Sequence, residues 1–296
     1  MEDHEIRLYE RAGKIASKAL YYGMEIVHEG MPVKELCEKI ENMIIKLGGK
    51  PAFPCNISIN QIAAHYTSPP DDTLVIPRDS LVKIDVGVHI EGYIADTAGS
   101  ITFSREYEPL IIAAKKALEN AISLIKSGVS LGRIGSKIEE TIKEYGFKPI
   151  KNLTGHKIEP WKLHAGKTVP NVSTYTIEHV RKGEVYAIEP FVTNGKGYVV
   201  EENRVYIFSY SGGKAKSKAE RSLLRTIWRE FRTLPFCERW LLRIAPHYME
   251  TFLSLRKRNI LYEYPVLKEA GNGIVSQWEH TILIAEEGAL VITYAE

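Results

Sequence analysis

A segment of this chain repeats itself at an offset of 98 residues, and that repeat limits the possible folds more than any other feature. Gly30-Met31-Pro32-Val33-Lys34-Glu35-Leu36 aligns with Gly128-Val129-Ser130-Leu131-Gly132-Arg133-Ile134. Lys39-Ile40-Glu41 then matches Lys137-Ile138-Glu139, and the match runs through Ile44 and Ile142, Gly48 and Gly146, to Lys50-Pro51 and Lys148-Pro149. Each copy reads as a helix, a glycine-bearing turn and a second helix with apolar residues at helical spacing, closed by Gly48 or Gly146. Two related α/β halves are expected. The polar residues follow the same spacing: His65 and His164 lie at nearly the same offset, and after a slightly longer loop Ile84-Asp85 corresponds to Ile188-Glu189. Two helical hairpins can resemble each other by chance, but shared spacing of polar residues weighs against that and predicts two half-sites facing each other.

Five residues then stand out as metal-ligand candidates: Asp85, Asp96, His156, Glu189 and Glu279. The stretch 81–88 reads as a strand and 93–101 as its antiparallel partner. With the turn centred on Ile90 and Glu91, Asp85 falls directly opposite Asp96. Opposed like charges destabilise a hairpin, with Cβ atoms only about 5 Å apart, and a bound cation removes the conflict. A pair of solvated, turn-flanking acids is the plainer alternative for the hairpin alone. The other three candidates lie in equally costly contexts. His156 ends Leu153-Thr154-Gly155-His156, Glu189 ends the apolar run Val185-Tyr186-Ala187-Ile188, and Glu279 sits within the apolar stretch 276–284. Carboxylates in buried strands are rarely unpaired. Any one of them alone reads equally well as a structural, hydrogen-bonded acid, whereas five in succession point to a two-metal hydrolase site.

Composition sets the remaining bounds. The 296 residues are 44% hydrophobic and 26% charged, as in an ordinary soluble protein with one large core, or a core plus an inserted subdomain. No apolar run approaches the roughly 20 residues that span a membrane, and the chain opens Glu2-Asp3-His4-Glu5, so a cytoplasmic location is expected. Cys37, Cys55 and Cys237 are odd in number and scattered, which argues against a disulfide framework or a cysteine metal cluster. The net charge of +2 hides an asymmetry: residues 204–263 hold 13 Lys or Arg against 5 Glu and no Asp. There Leu223, Leu224, Ile227, Trp228 and Phe231 are expected on one helical face and Arg221, Arg225, Arg229 and Arg232 on the other. Shorter helices around Trp240 and Met249 and a strand over 259–264 complete a winged-helix-like subdomain. Its basic face suits either plain solvation or nucleic acid.

The segments around Asp85, Asp96 and Gly155-His156, together with His164-Ala165-Gly166-Lys167-Thr168-Val169-Pro170, Glu189-Pro190 and Gln277-Trp278-Glu279-His280-Thr281, closely resemble the type II methionine aminopeptidases in their archaeal short form. The resemblance covers essentially the whole chain. The metal pentad is shared with prolidases, Xaa-Pro aminopeptidases and creatinases. The run from His164 to Pro170, Ala63-Ala64-His65-Tyr66-Thr67 and the long insertion before Glu279 select type II, and the absence of a long basic N-terminal extension selects the short form.

The resemblance implies an α+β pita-bread fold, with pseudo-twofold α/β halves around a curved antiparallel sheet. Residues 1–203 and 264–296 would form the catalytic domain and 204–263 the inserted basic helical subdomain. It implies two divalent ions (Co, Mn, Fe or Zn), with Asp85 chelating one, Asp96 and Glu279 bridging both, and His156 and Glu189 completing the shell of the other. Glu189 would carry a proton to the departing amine, His65 would face the scissile nitrogen and His164 the carbonyl oxygen. Phe53, Leu163 and Tyr264 would wall an apolar pocket suited to a flexible thioether. The implied activity is removal of the initiator methionine from nascent chains whose second residue is small, by a monomeric enzyme with no membrane association. Two other classes stay open: a prolidase-like peptidase and a catalytically silent binding module.

Overall fold

The computed structural model describes residues 1–294 and realises the repeat as two helical hairpins that turn in the same way. The first pairs α1 (Asp3–Ile26) with α2 (Val33–Lys46) and leads into strand β1 (Lys50–Ile59), followed by β2 (Ile62–Ala64), β3 (Leu81–Ile90) and β4 (Tyr93–Thr102). The second pairs α3 (Glu108–Leu124) with α4 (Leu131–Glu144) and leads into β5 (Lys148–Pro149), β6 (Thr154–Ile158), β7 (Thr168–Pro170), β8 (Val185–Ile188) and β9 (Phe191–Thr193). Gly48 and Gly146 follow α2 and α4 with φ near +80°, the left-handed conformation that closes a helix at low steric cost. In α1 the buried positions Leu8, Ala12, Ile15, Ala16, Ala19, Leu20 and Gly23 form one stripe, laid on β3 and β4. In the second half α3 and α4 pack on each other and on β13, β9, β7 and β5, where β13 is Val275–Gln277.

The chain then runs through β10 (Val199–Tyr210), α5 (Lys218–Phe231), β11 (Phe236–Cys237), α6 (Glu238–Ile244), α7 (Met249–Lys257) and β12 (Leu261–Glu269) before β13, β14 (His280–Ile284) and β15 (Ala289–Val291). All strand pairings are antiparallel, in the orders β1-β3-β4, β11-β10-β12-β2, β13-β9-β5 and β15-β14-β8-β6-β7. A bridge between Ala98 and Glu279 ties β4 to the strands of the second half. This is the curved antiparallel architecture of the pita-bread fold.

The expected hairpin register is corrected by one position at the turn. Glu91 and Gly92 both have positive φ (54° and 94°), so they, not Ile90 and Glu91, form a two-residue turn, and Asp85 pairs with Ala98 while Gly87 pairs with Asp96. The two aspartates therefore share a face but stand diagonally, at a spacing of roughly 7 Å that leaves more room for a cation than direct opposition would.

Helices α5 to α7 enclose a core of their own that includes Phe208, Leu223, Ile227, Phe236, Leu241, Phe252 and Leu255. Positions 204 and 263 fall inside β10 and β12, so both strands run unbroken across the expected subdomain boundaries. The basic face also differs from expectation. Helix α5 ends at Phe231, and Arg232, at φ 55°, lies over the rings of Trp161 and Trp228. Trp228, expected on the apolar face, is largely exposed. Arg229 pairs with Glu230, Arg256 with Glu263 and Arg258 with Glu220, while Arg239 is buried against Glu41. Arg221 and Arg225 are exposed and have no ion-pair partner among the described residues.

Candidate metal centre

The two halves meet in one cleft of about 360 Å³, lined by every residue singled out above: Phe53, His65, Asp85, Asp96, His156, Leu163, His164, Glu189, Tyr264 and Glu279. Asp85 and Asp96 come from the first half, on β3 and β4. His156 comes from β6, paired with Ala187 of β8. Glu189 lies in the break between β8 and β9, and Glu279 in the equivalent break between β13 and β14 rather than inside a continuous strand. A break of this kind frees a carboxylate-bearing residue from the regular alternation of a strand.

Backbone and hydroxyl groups stitch the two halves together beside these acids. The Glu279 N–H donates to Ala98 O (2.9 Å), and the Thr97 hydroxyl donates to Glu279 O (2.8 Å). The Thr281 hydroxyl accepts from the Asp96 N–H (2.7 Å) while donating to Asp96 O (2.6 Å). The backbone amides are thereby satisfied, and the carboxylates are left to face one another. Oδ1 of Asp85, Oδ1 of Asp96 and Oε1 of Glu279 are buried without a hydrogen-bond partner. One ligand atom each from Asp96, His156 and Glu279 lie within 4.8 Å of one another. His156 Nε2 is 3.5 Å from Asp96 Oδ2 and 3.6 Å from Glu189 Oε1. Unpartnered buried carboxylates around an imidazole are costly by themselves and fit a divalent cation.

Electrostatics follow from that crowding. Burial, then mutual repulsion, drives Asp85, Glu189 and Glu279 well above the usual carboxylate range, and burial raises Asp96 to about 8. Burial lowers His156 to about 4 and depresses His65. His164 is open to solvent at the cleft, and its ring lies 4.3 Å from that of His156. Desolvation and the neighbouring imidazoles hold it below the usual histidine range. His65 is in the left-handed region (φ 65°), with Nδ1 3.0 Å from Pro265 O. A carbonyl only accepts, so Nδ1 carries the proton and Nε2 keeps its lone pair.

A pH dependence follows for the metal-free protein. A carboxylate whose folded pKa is raised contributes stability that is complete below its unfolded value, near 4, and is lost as pH rises through the folded one, about 8 for Asp96. The depressed His156 acts oppositely, its contribution being lost as pH falls from 6.5 toward 4. Above pH 6.5 the site's histidines no longer oppose its carboxylates, so the contribution of the site to the thermal midpoint of chelator-treated protein should fall between pH 6.5 and 8.5. With manganese present it should hold nearly level, and equal slopes in the two conditions would contradict the site.

Several lining residues had not been anticipated. Asn56 pairs in register with Asp85, and its side chain favours the ionised form of that carboxylate. An Asn among the apolar residues of 52–57 was the available signal. Ile207 reaches the cleft from β10, Pro235 from the turn before β11, and Phe191 from β9. Gly87 is required beneath Phe53, because a Cβ there would lie 2.2 Å from the Phe53 ring.

The sequence matches metallopeptidase family M24 over residues 7–209. The chain belongs to that family. Within it, this M24 peptidase is 42% identical over 294 residues to a methionine aminopeptidase of Methanothermobacter thermautotrophicus, covering 97% of this chain and 98% of the relative. It is 45% identical over 286 residues to one of Pyrococcus horikoshii, covering 95% and 97%. Among solved structures, the fold superposes on a methionine aminopeptidase of Thermotoga maritima with a TM-score of 0.74 at 23% identity, covering 100% of this chain and 98% of that one. It superposes on a thermophilic Arx1 with 0.83 at 18% identity (100% and 92%), and on the Pyrococcus furiosus prolidase with 0.63 at 21% (100% and 65%). Those likenesses bear on the fold. Near-full-length identity above 40% to methionine aminopeptidases places the M24 peptidase among them rather than among prolidases.

Proposed function

We propose that this M24 peptidase removes the N-terminal methionine from peptides whose second residue is small. The observation that carries the reading is the cleft itself, where a carboxylate-rich centre adjoins an apolar wall of Phe53, Leu163 and Tyr264. Asp85, Asp96, His156, Glu189 and Glu279 would hold two divalent ions. Ions held there would supply a nucleophilic water at neutral pH and polarise the scissile carbonyl. Glu189 would accept a proton from the attacking water and return it to the departing amine. His65, kept neutral by burial, presents its unprotonated Nε2 to the scissile amide N–H. His164 stands beside His156, where charge develops on the carbonyl oxygen. Tyr264 is held by its hydroxyl against Ser209 (3.2 Å) and by an edge contact with His65.

Peptides beginning Met-Ala, Met-Lys and Ala-Pro test this. Methionine should be released from the first, retained on the second, and the third left intact. Equal cleavage of Met-Ala and Met-Lys would refute the narrow second subsite, and cleavage of Ala-Pro alone would return the prolidase reading.

The inserted segment 204–263 would act as a unit that docks the enzyme on ribosomal RNA, where nascent chains emerge. Its charge balance supports this, with Arg221 and Arg225 exposed on one face of α5. Phosphate contacts release counterions, so ribosome affinity should fall with salt at a log-log slope of roughly −0.7 to −0.9 per contact. Changing Arg221, Arg225 and Arg229 to Gln should weaken co-sedimentation with ribosomes and leave cleavage of a free tripeptide unchanged. Undiminished co-sedimentation would mean a solvated face. Cytoplasmic location fits that role, and among the described residues no helix is long and apolar enough to cross a membrane.

A further inference from the structure

Lys83 is among the largest fully buried side chains of the protein, and no carboxylate lies within ion-pair distance of it among the described residues. Its Nζ instead donates to two backbone carbonyls, Val275 O at 2.7 Å and Asn60 O at 3.2 Å. Those carbonyls belong to segments far apart in sequence, and each leads directly to the centre. Val275 opens β13, four residues before Glu279. Asn60 forms the turn (φ 53°) that leads through β2 to His65. Lys83 itself lies two residues before Asp85, on the same face of β3.

Further hydrogen bonds close the cluster. Asn60 O also accepts from the Val275 N–H (3.1 Å), the Asn60 N–H donates to Leu81 O (2.9 Å), and Asn60 Oδ1 accepts from the Leu81 N–H (2.9 Å). Carbonyl oxygens converging on one point are what a desolvated small cation requires. Here a side chain tethered to β3 fills that point. We infer that Lys83 is a tethered stand-in for such a cation, a positioning residue whose Nζ clamps the three segments bearing Asp85, His65 and Glu279 and so presets the spacing of the metal centre without a bound monovalent ion.

The inference rests on the metal-centre reading above, and its test does not use substrate. In Lys83→Ala, with tetramethylammonium as the only monovalent cation, cobalt affinity read from visible absorption should fall by roughly ten- to a hundredfold, as when groups supporting metal ligands are removed. Replacing tetramethylammonium by potassium or ammonium should restore much of it. Rubidium soaked into crystals of that variant should give an anomalous peak between the carbonyls of Asn60 and Val275. Lys83→Met, which refills the volume with no donor, should show the same weakening without rescue, and the unmodified protein should not distinguish the salts. Unchanged cobalt affinity in both variants overturns the inference. So does a weakened Lys83→Ala that no monovalent cation restores and no rubidium occupies, or a variant that folds neither with potassium nor without it. A mistaken peptidase assignment would instead appear as no methionine release by the unmodified protein, with the cobalt comparison intact.

Discussion

Replacing Asp96 or Glu279 by Ala is expected to abolish stoichiometric divalent-metal binding and to lower kcat/KM for a Met-Ala peptide by at least about a thousandfold, or about 4 kcal/mol of transition-state stabilisation. Each carboxylate is buried, each has an oxygen without a hydrogen-bond partner, and each contributes to the tight cluster with His156. His65→Ala provides the contrast. Its imidazole is held to Pro265 O, outside that cluster, so the variant should keep its full metal content while losing roughly a hundredfold or more in turnover. A second readout separates loss of a ligand from general damage. Without metal the acids repel one another, so Asp96→Asn, which keeps shape and removes charge, should unfold at a higher temperature than the unmodified metal-free protein at pH 8. Stoichiometric metal retained in Asp96→Ala or Glu279→Ala would sink the bridging assignment, and metal lost from His65→Ala would make that histidine a ligand.

The parts of this site legible in the sequence were those governed by local rules. Gly48 and Gly146, each closing an amphipathic helix, revealed the two halves because helix periodicity and the left-handed glycine are properties of short segments. The acidic ligand candidates could be singled out because charges in apolar stretches need a partner, whereas Phe53, Leu163 and Tyr264 came only from the family resemblance. The hairpin turn was misplaced by one residue, and the pairing by two, because a non-glycine, Glu91, takes the positive φ of the turn, next to a Gly92 whose carbonyl accepts from the Trp161 backbone N–H some 70 residues away. Nothing near Glu91 encodes that. Counting charge along 204–263 treated Arg239 as a surface group, although it is buried on Glu41, and placed Arg232 on the helical face, although α5 ends at Phe231. Lys83 and Asn56 escaped for the same reason: their partners are set by the closure of the sheets, not by neighbours in sequence.

The pair formed by Glu41 and Arg239 should dominate how the inserted segment is held. Arg239, on α6, donates from Nη1 and Nη2 to the two carboxylate oxygens of Glu41, on α2 (2.9 and 2.8 Å), and further to Thr67 Oγ1 (3.1 Å) and Ser68 O (2.6 Å). Trp240 Nε1 and the Cys55 N–H donate to the same carboxylate at 2.9 and 3.2 Å. Both residues are almost fully buried, so removing either strands a desolvated charge, at a cost of about 3–5 kcal/mol. Glu41→Leu and Arg239→Leu should each lower the denaturant midpoint accordingly. The double variant should recover much of the loss, since apolar replacement of a whole buried pair is often close to neutral. The damage should fall first on the insertion, as faster hydrogen exchange in 218–257 ahead of α1 and α2. Because β12 delivers Tyr264 and Thr67 lies two residues past His65, KM for methionyl peptides should rise in the single variants while metal content holds. Losses below about 1 kcal/mol, the range of exposed pairs, would mean that water reaches this junction and that the insertion is held by β10 and β12 alone.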